Sequence, residues 1–168
     1  MKKTILRQYL EIKSPEDIKE IIKPENFYSI ELVDSNDFQL NKFFYKQVGR
    51  KYNWTDRLIW TDKNWIDYVS NKSLLTFSLK RKKDLAGYFE LLIHDNEVEI
   101  VYFGLLEEYF GKKLGGYLLS EALRKSFKIP KIKRVWCHTC SYDHKHGIKN
   151  YLSRGMSIFN TQKLIIDT

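Results

Sequence analysis

The chain has 168 residues, 43% of them hydrophobic and 15% aromatic, with 29 Lys and Arg against 21 Asp and Glu for a formal net charge of +8. This length reads as one domain with room for a core, and the apolar and aromatic content excludes a disordered chain. No apolar run approaches the ~20 residues of a membrane span, and the hydrophobicity at the start is lost at Arg7, too early for a signal peptide. A soluble cytoplasmic protein without a membrane partner is expected. The basic residues are scattered and form no block of the kind a nucleic-acid arm carries, so no nucleic-acid partner is assigned. Cys137 and Cys140, the only two cysteines, cannot make a disulfide framework.

In chain order, Thr4–Ile12 is predicted as a strand. Ser14-Pro15-Glu16-Asp17 then has the N-cap, first-turn proline and acidic residues that open a short helix. A second strand is expected over Phe27–Val33. From Asp37 to Val48, the residues Leu40, Phe43, Phe44 and Val48 recur at helical spacing, with Gly49 as a stop. An aromatic loop with Tyr52, Trp54, Asp56, Arg57 and Trp60 follows, and Thr61 can cap a helix carrying Trp65, Ile66 and Val69.

Ser73–Lys80, Asp84–Ile93 and Glu97–Leu105 are rich in β-branched, aromatic and Leu residues, and their short connections demand antiparallel neighbours. A three-residue turn at His94–Asn96 would set Leu91 opposite Glu99 and place that carboxylate on a face with Val101 and Phe103. A helix over Tyr109–Lys128 follows, with a buried stripe of Leu118, Leu119, Ala122, Leu123 and Phe127. Arg134–Thr139 is then a strand, His144–Arg154 a helix and Met156–Ile165 a last strand. The order predicts a mixed α/β fold: a central, mostly antiparallel sheet of six to seven strands flanked by helices.

The stretch from Glu99 to Leu119 carries the chemistry. A strand ends near Leu105, a turn containing Gly111 follows, and a helix opens around Lys112, Lys113, Leu114, Gly115 and Gly116. Free backbone N–H groups, glycines that allow close approach and the positive end of the helix dipole are the parts of a phosphate cradle. Glycines that only pack this helix on the sheet would show the same spacing. Neither G-x-x-x-x-G-K-[ST] nor G-x-G-x-x-G occurs, which disfavours a nucleoside-triphosphate or dinucleotide site.

These residues resemble the GNAT acyl-CoA N-acyltransferases, whose Arg/Gln-x-x-Gly-x-Gly/Ala turn binds the CoA pyrophosphate. Here the turn reads Phe110-Gly111-Lys112-Lys113-Leu114-Gly115: Gly115 matches, Lys113 stands at the first glycine and Phe110 replaces the Arg or Gln. Downstream, His144 to Met156 resembles the family's Asn-x-x-Ala-x-x-x-Tyr-x-x-x-Gly-Phe, with Tyr151 and Gly155 matching and His144, Gly147 and Met156 departing. The resemblance covers most of the chain and is weakest before Asn36.

The resemblance implies direct transfer of an acetyl group from acetyl-CoA, as co-substrate, to the primary amine of a small molecule, amino acid or peptide. It implies Glu99 as the base and Tyr151 as the acid. It implies CoA contacts at Phe103, Gly104, Leu105, Phe110, Gly111, Lys112, Lys113, Leu114, Gly115, Gly116 and His144. An acceptor pocket is expected at Trp54, Arg57 and Trp60, where aromatic rings attract a cation and Arg57 could pair with a substrate carboxylate. Many such proteins pair, and a homodimer stays open here. A CoA-binding module without catalysis, or a basic nucleic-acid-binding domain, are the alternatives. Cys137 and Cys140 lie three apart on a strand and point to opposite faces, so they close on no metal. Asp143 is expected to cap the helix carrying His144 and His146. No metal is assigned.

Overall fold

The computed structural model describes residues 1–34 and 36–167. Its strands are β1 (Lys2–Ile12), β2 (Tyr28–Leu32), β3 (Leu74–Arg81), β4 (Asp84–His94), β5 (Glu97–Leu105), β6 (Arg134–Cys140) and β7 (Ser157–Asp167). They form one seven-stranded sheet in the order β2-β3-β4-β5-β6-β1-β7. Every neighbouring pair is antiparallel except β5 and β6. The helices are α1 (Phe38–Gly49), α2 (Asp62–Val69), α3 (Leu114–Lys128) and α4 (Gly147–Ser153), with single 3-10 turns at Pro15–Asp17 and Glu107–Tyr109. The mixed, mostly antiparallel architecture expected from the sequence is the one observed.

Local chemistry accounts for most of these boundaries. Asp37 accepts a hydrogen bond from the Leu40 N–H and so caps α1, and a reciprocal capping box between Thr61 and Asn64 opens α2. Gly49 does not stop α1 by a left-handed turn; it closes the helix, and a Cβ there would lie 2.5 Å from the Trp54 ring. The helix expected from Tyr109 begins at Leu114, because Gly111 (φ 74°) and Lys113 (φ 61°) both adopt left-handed conformations that interrupt a helical path.

Helices α1 and α2 cover one face of β3–β5: the Phe44 ring stacks on Tyr88 at 4.7 Å, and Asn41 reaches Glu90. Helix α3 covers the other, where the Lys125 ammonium stands over Phe77 and Phe77 stacks on Phe89. The core between the layers includes Leu91, Val98, Leu118, Leu119 and Leu123, all fully buried. Of the predicted α3 stripe only Phe127 is half-buried rather than buried.

The β4–β5 register differs from the expectation. His94 pairs with Glu97 across a two-residue turn, Leu92 faces Glu99 and Leu91 faces Ile100. An irregularity then leaves Val101 as the extra residue, so that Glu90 meets Tyr102 and Phe89 meets Phe103. Glu99 therefore shares its face with Leu92 and Tyr102, not with Val101 and Phe103.

Candidate active site

Strands β5 and β6 pair in parallel only through Glu97–Arg134, Val98–Val135 and Glu99–Trp136, and beyond that rung they part. The parting leaves the remaining edge of β5, from Ile100 to Leu105, without a strand neighbour on that side. A cleft of about 890 Å³ fills the opening and runs from the start of α3, between the two strands, to the loop before α2. Its size falls within the usual ~300–1,000 Å³ range of small-molecule sites.

On the α3 side the cleft is lined by Phe103, Gly104, Leu105, Phe110, Gly111, Lys113, Leu114, Gly115, Gly116, His144 and Tyr151. Of the residues predicted to contact CoA, Lys112 alone is absent; it lines an adjoining smaller pocket with Lys113, Arg81 and Phe27, its ammonium 5.4 Å from the Tyr109 ring. Among the described residues no side chain caps the first turn of α3, which leaves its leading N–H groups free where Leu114, Gly115 and Gly116 line the cleft. Space is open at Gly111, where a Cβ would meet nothing within 4 Å, and at Gly115, where it would make only an ordinary contact with Asn150. Phosphate oxygens fit such a helix start. Gly116 has a different role: a Cβ there would lie 2.5 Å from Ile21 and 2.6 Å from Arg154, so it admits the N-terminal segment to the helix. Phe110 packs edge-on against His144 at 5.3 Å, which spends its side chain on the cleft wall.

Tyr151, from α4, lies on this side with its ring 6.1 Å from Phe103. Burial first, then the nearby Cys137 and Asp143, raises its phenol well above the ordinary value, so it stays protonated and able to donate. Asp143 does not cap α4 as predicted. Its carboxylate accepts from the Thr139 hydroxyl and, at 2.8 Å, from the Cys140 N–H, which fixes the turn between β6 and α4.

The opposite side of the cleft is built on Trp54, Asp56, Arg57, Tyr102 and His138, and Tyr52 packs across to His144 at 6.1 Å. Arg57 turns inward: it is 7% exposed, donates to Glu90 at 3.3 Å, and has its guanidinium 4.0 Å from the Tyr68 ring centroid and 4.5 Å from that of Tyr102. Burial is the largest influence and would lower its pKa, but the Glu90 carboxylate together with the Tyr68 and Tyr102 hydroxyls outweighs it and leaves the guanidinium raised and charged. The partner predicted for Arg57, a substrate carboxylate, is thus replaced by one inside the protein. Trp60, unlike Arg57, does not line the cleft and is packed on Trp65 and Tyr68. Asp56 is the exposed charge of this wall, held by the Tyr45 hydroxyl at 2.8 Å and the Tyr102 hydroxyl at 2.9 Å. Burial pushes the Tyr45 hydroxyl up to about 12, which keeps it a donor to Asp56.

Glu99 is not among the cleft-lining residues; its carboxylate bonds to His94 Nε2 at 3.3 Å. Sequence reasoning passed over His138, which does line the cleft. Its position between the two cysteines drew attention to metal binding, whereas strand alternation alone sets it on the face opposite the buried Cys137.

Residues 19–156, most of the chain, match the acetyltransferase (GNAT) family. The chain belongs to that family. Solved structures with the same fold include GCN5-related N-acetyltransferases from Kribbella flavida (15% identity, TM-score 0.68) and Sphaerobacter thermophilus (12%, 0.72). The matches cover 95% and 96% of this chain but only 57% and 50% of those chains, so this GNAT chain spans about half of their length. An aminoglycoside acetyltransferase from an uncultured soil metagenomic sample, in complex with trehalose, has 12% identity and a TM-score of 0.66 over 79% of this chain and 90% of its own. No curated protein matches the sequence.

Proposed function

We propose that this GNAT domain moves an acetyl group from acetyl-CoA directly to the primary amine of a small molecule, amino acid or peptide. The observation that carries the proposal is the parting of β5 and β6 beyond Glu99 and Trp136, beside an uncapped helix start, in one continuous cleft. The free edge of β5 at Phe103–Leu105 offers backbone groups to a pantetheine arm in the manner of an added strand. The N–H groups of α3, with Lys112 and Lys113 nearby, suit the pyrophosphate.

Attack by the amine nitrogen on the thioester carbon forms the C–N bond, and collapse of the adduct breaks the C–S bond. Tyr151 then gives its proton to the departing thiolate, and the amine's proton passes to a base, the role that the family resemblance gives to Glu99. Proton transfers by placed groups contribute roughly 10²–10⁴-fold each. The domain is proposed to act as a single folded unit. The test is thiol release from acetyl-CoA across a panel of primary amines. Release that depends on both enzyme and amine is the expected result, and silence across all amine classes would leave only a CoA-binding module.

A further inference from the structure

On the acceptor side of the cleft, His138 is two residues beyond Trp136, the last residue of β6 paired with β5. Alternation along β6 puts it on the same face as Trp136, away from Tyr151, and its ring leans on Tyr9 of β1 at 5.6 Å. The side chain is exposed, it lines the cleft, and no hydrogen bond among the described residues occupies either ring nitrogen. The implied base, Glu99, is engaged with His94 and does not line the cleft.

We infer that His138 is the group that takes the proton from the attacking amine, in place of Glu99. This rests on the transfer reaction proposed above. The two proton-handling groups then stand on opposite sides of the opening between the strands, as direct transfer requires: the amine approaches from the His138 face, and the thiol leaves on the Tyr151 face. In the step itself the amine nitrogen bonds to the carbonyl carbon while its N–H proton passes to His138. The C–S bond breaks, and the sulfur takes the Tyr151 proton. Solvent afterwards removes the proton from His138 and restores that of Tyr151, so the sum is amine plus acetyl-CoA giving amide plus CoA thiol.

The charged and titratable groups facing the imidazole are Arg7 and Tyr9 from β1, Glu99 from β5, Asp56 from the loop before α2 and Asp143 from the β6–α4 turn. Partial loss of hydration where the ring packs on Tyr9, with Arg7 next, lowers the imidazole below its ordinary 6.5 against the opposing pull of the three carboxylates, although one edge of the side chain stays open to the cleft. His138 is therefore neutral at pH 7, the form that accepts a proton, and loses that capacity as pH falls through its lowered pKa.

The test compares wild type, His138→Asn and Glu99→Gln by thiol release from acetyl-CoA, with ethylamine at high concentration, each rate divided by the concentration of unprotonated ethylamine at that pH, and with water as small probe acceptors, from pH 5 to 9. CoA binding to each protein is followed by calorimetry. Expected are a wild-type acid limb with its midpoint below 6.5, a His138→Asn variant that has lost this limb and about 10²-fold or more in turnover at unchanged CoA affinity, and a Glu99→Gln variant that keeps the limb. Wild-type turnover and an intact limb in His138→Asn, or loss of the limb in Glu99→Gln alone, would overturn the assignment. Absence of CoA binding in all three proteins, or of enzyme-dependent thiol release by wild type, would instead overturn the transfer reaction itself.

Discussion

Replacing Glu90 by Gln tests the interior of the acceptor wall. Glu90 is fully buried and accepts from Asn41 at 3.0 Å, Arg57 at 3.3 Å and Tyr68 at 2.5 Å. Gln keeps the shape but removes the charge opposite a guanidinium that does not deprotonate, and it turns an amide N–H₂ toward groups that are themselves donors. Breaking one partner of a buried pair in this way costs about 3–5 kcal/mol. For a domain of this size each kcal/mol lowers Tm by about 2–4 °C, so a fall of roughly 6–20 °C is expected. Urea denaturation monitored by tryptophan fluorescence measures the change, with an unchanged m-value confirming that the denatured state is not its source. The double variant Arg57→Met, Glu90→Leu removes both charges together and should recover at least half of the lost stability. A loss under about 1 kcal/mol in Glu90→Gln, or a double variant worse than the single one, would refute the argument that the pair is held by mutual compensation in a dry interior.

Three further outcomes follow from geometry. Gly155 has φ 103°, and a Cβ there would lie 2.1 Å from the Asp17 carbonyl oxygen, so Gly155→Ala should destabilise the fold by ~2 kcal/mol or more in the same denaturation assay. Lys112→Glu with Lys113→Glu should weaken CoA in calorimetry more than it weakens a pantetheine analogue lacking the phosphates, and equal losses would remove the lysines from phosphate recognition. Tyr151→Phe should lower kcat while sparing CoA affinity, and the deficit should persist from pH 6 to 9 because the raised phenol pKa keeps the wild-type proton in place throughout; a deficit that vanished within this range would contradict its role as donor.

The β3–β4–β5 meander was legible because β-branched and aromatic runs alternate with short polar turns, and α2 was legible from Thr61 as a helix cap before Trp65, Ile66 and Val69. The register of β5 was not: a two-residue turn in place of the expected three sets Leu92 opposite Glu99, and the irregularity at Val101, which has no local signature, then moves the later side chains to the other face. Helix α3 starts five residues later than its apolar periodicity suggests, since that periodicity says nothing of the left-handed backbone at Lys113. The insertion of β1 between β6 and β7 depends on pairing across the whole chain. The turn from Phe110 to Gly116 was found by residue type, as glycines at a helix start bear directly on anion binding. The burial of Arg57 on Glu90 was not, because the partners are 33 positions apart and only the tertiary fold joins them.

Amide hydrogen exchange during a calorimetric titration with CoA bears most directly on the claim that the parted strands and the α3 start form a thiol-carrier site. The account predicts saturable heat together with slowed exchange at Phe103–Leu105 and at the first turn of α3. No heat at millimolar CoA, or slowing confined to other segments, would contradict it.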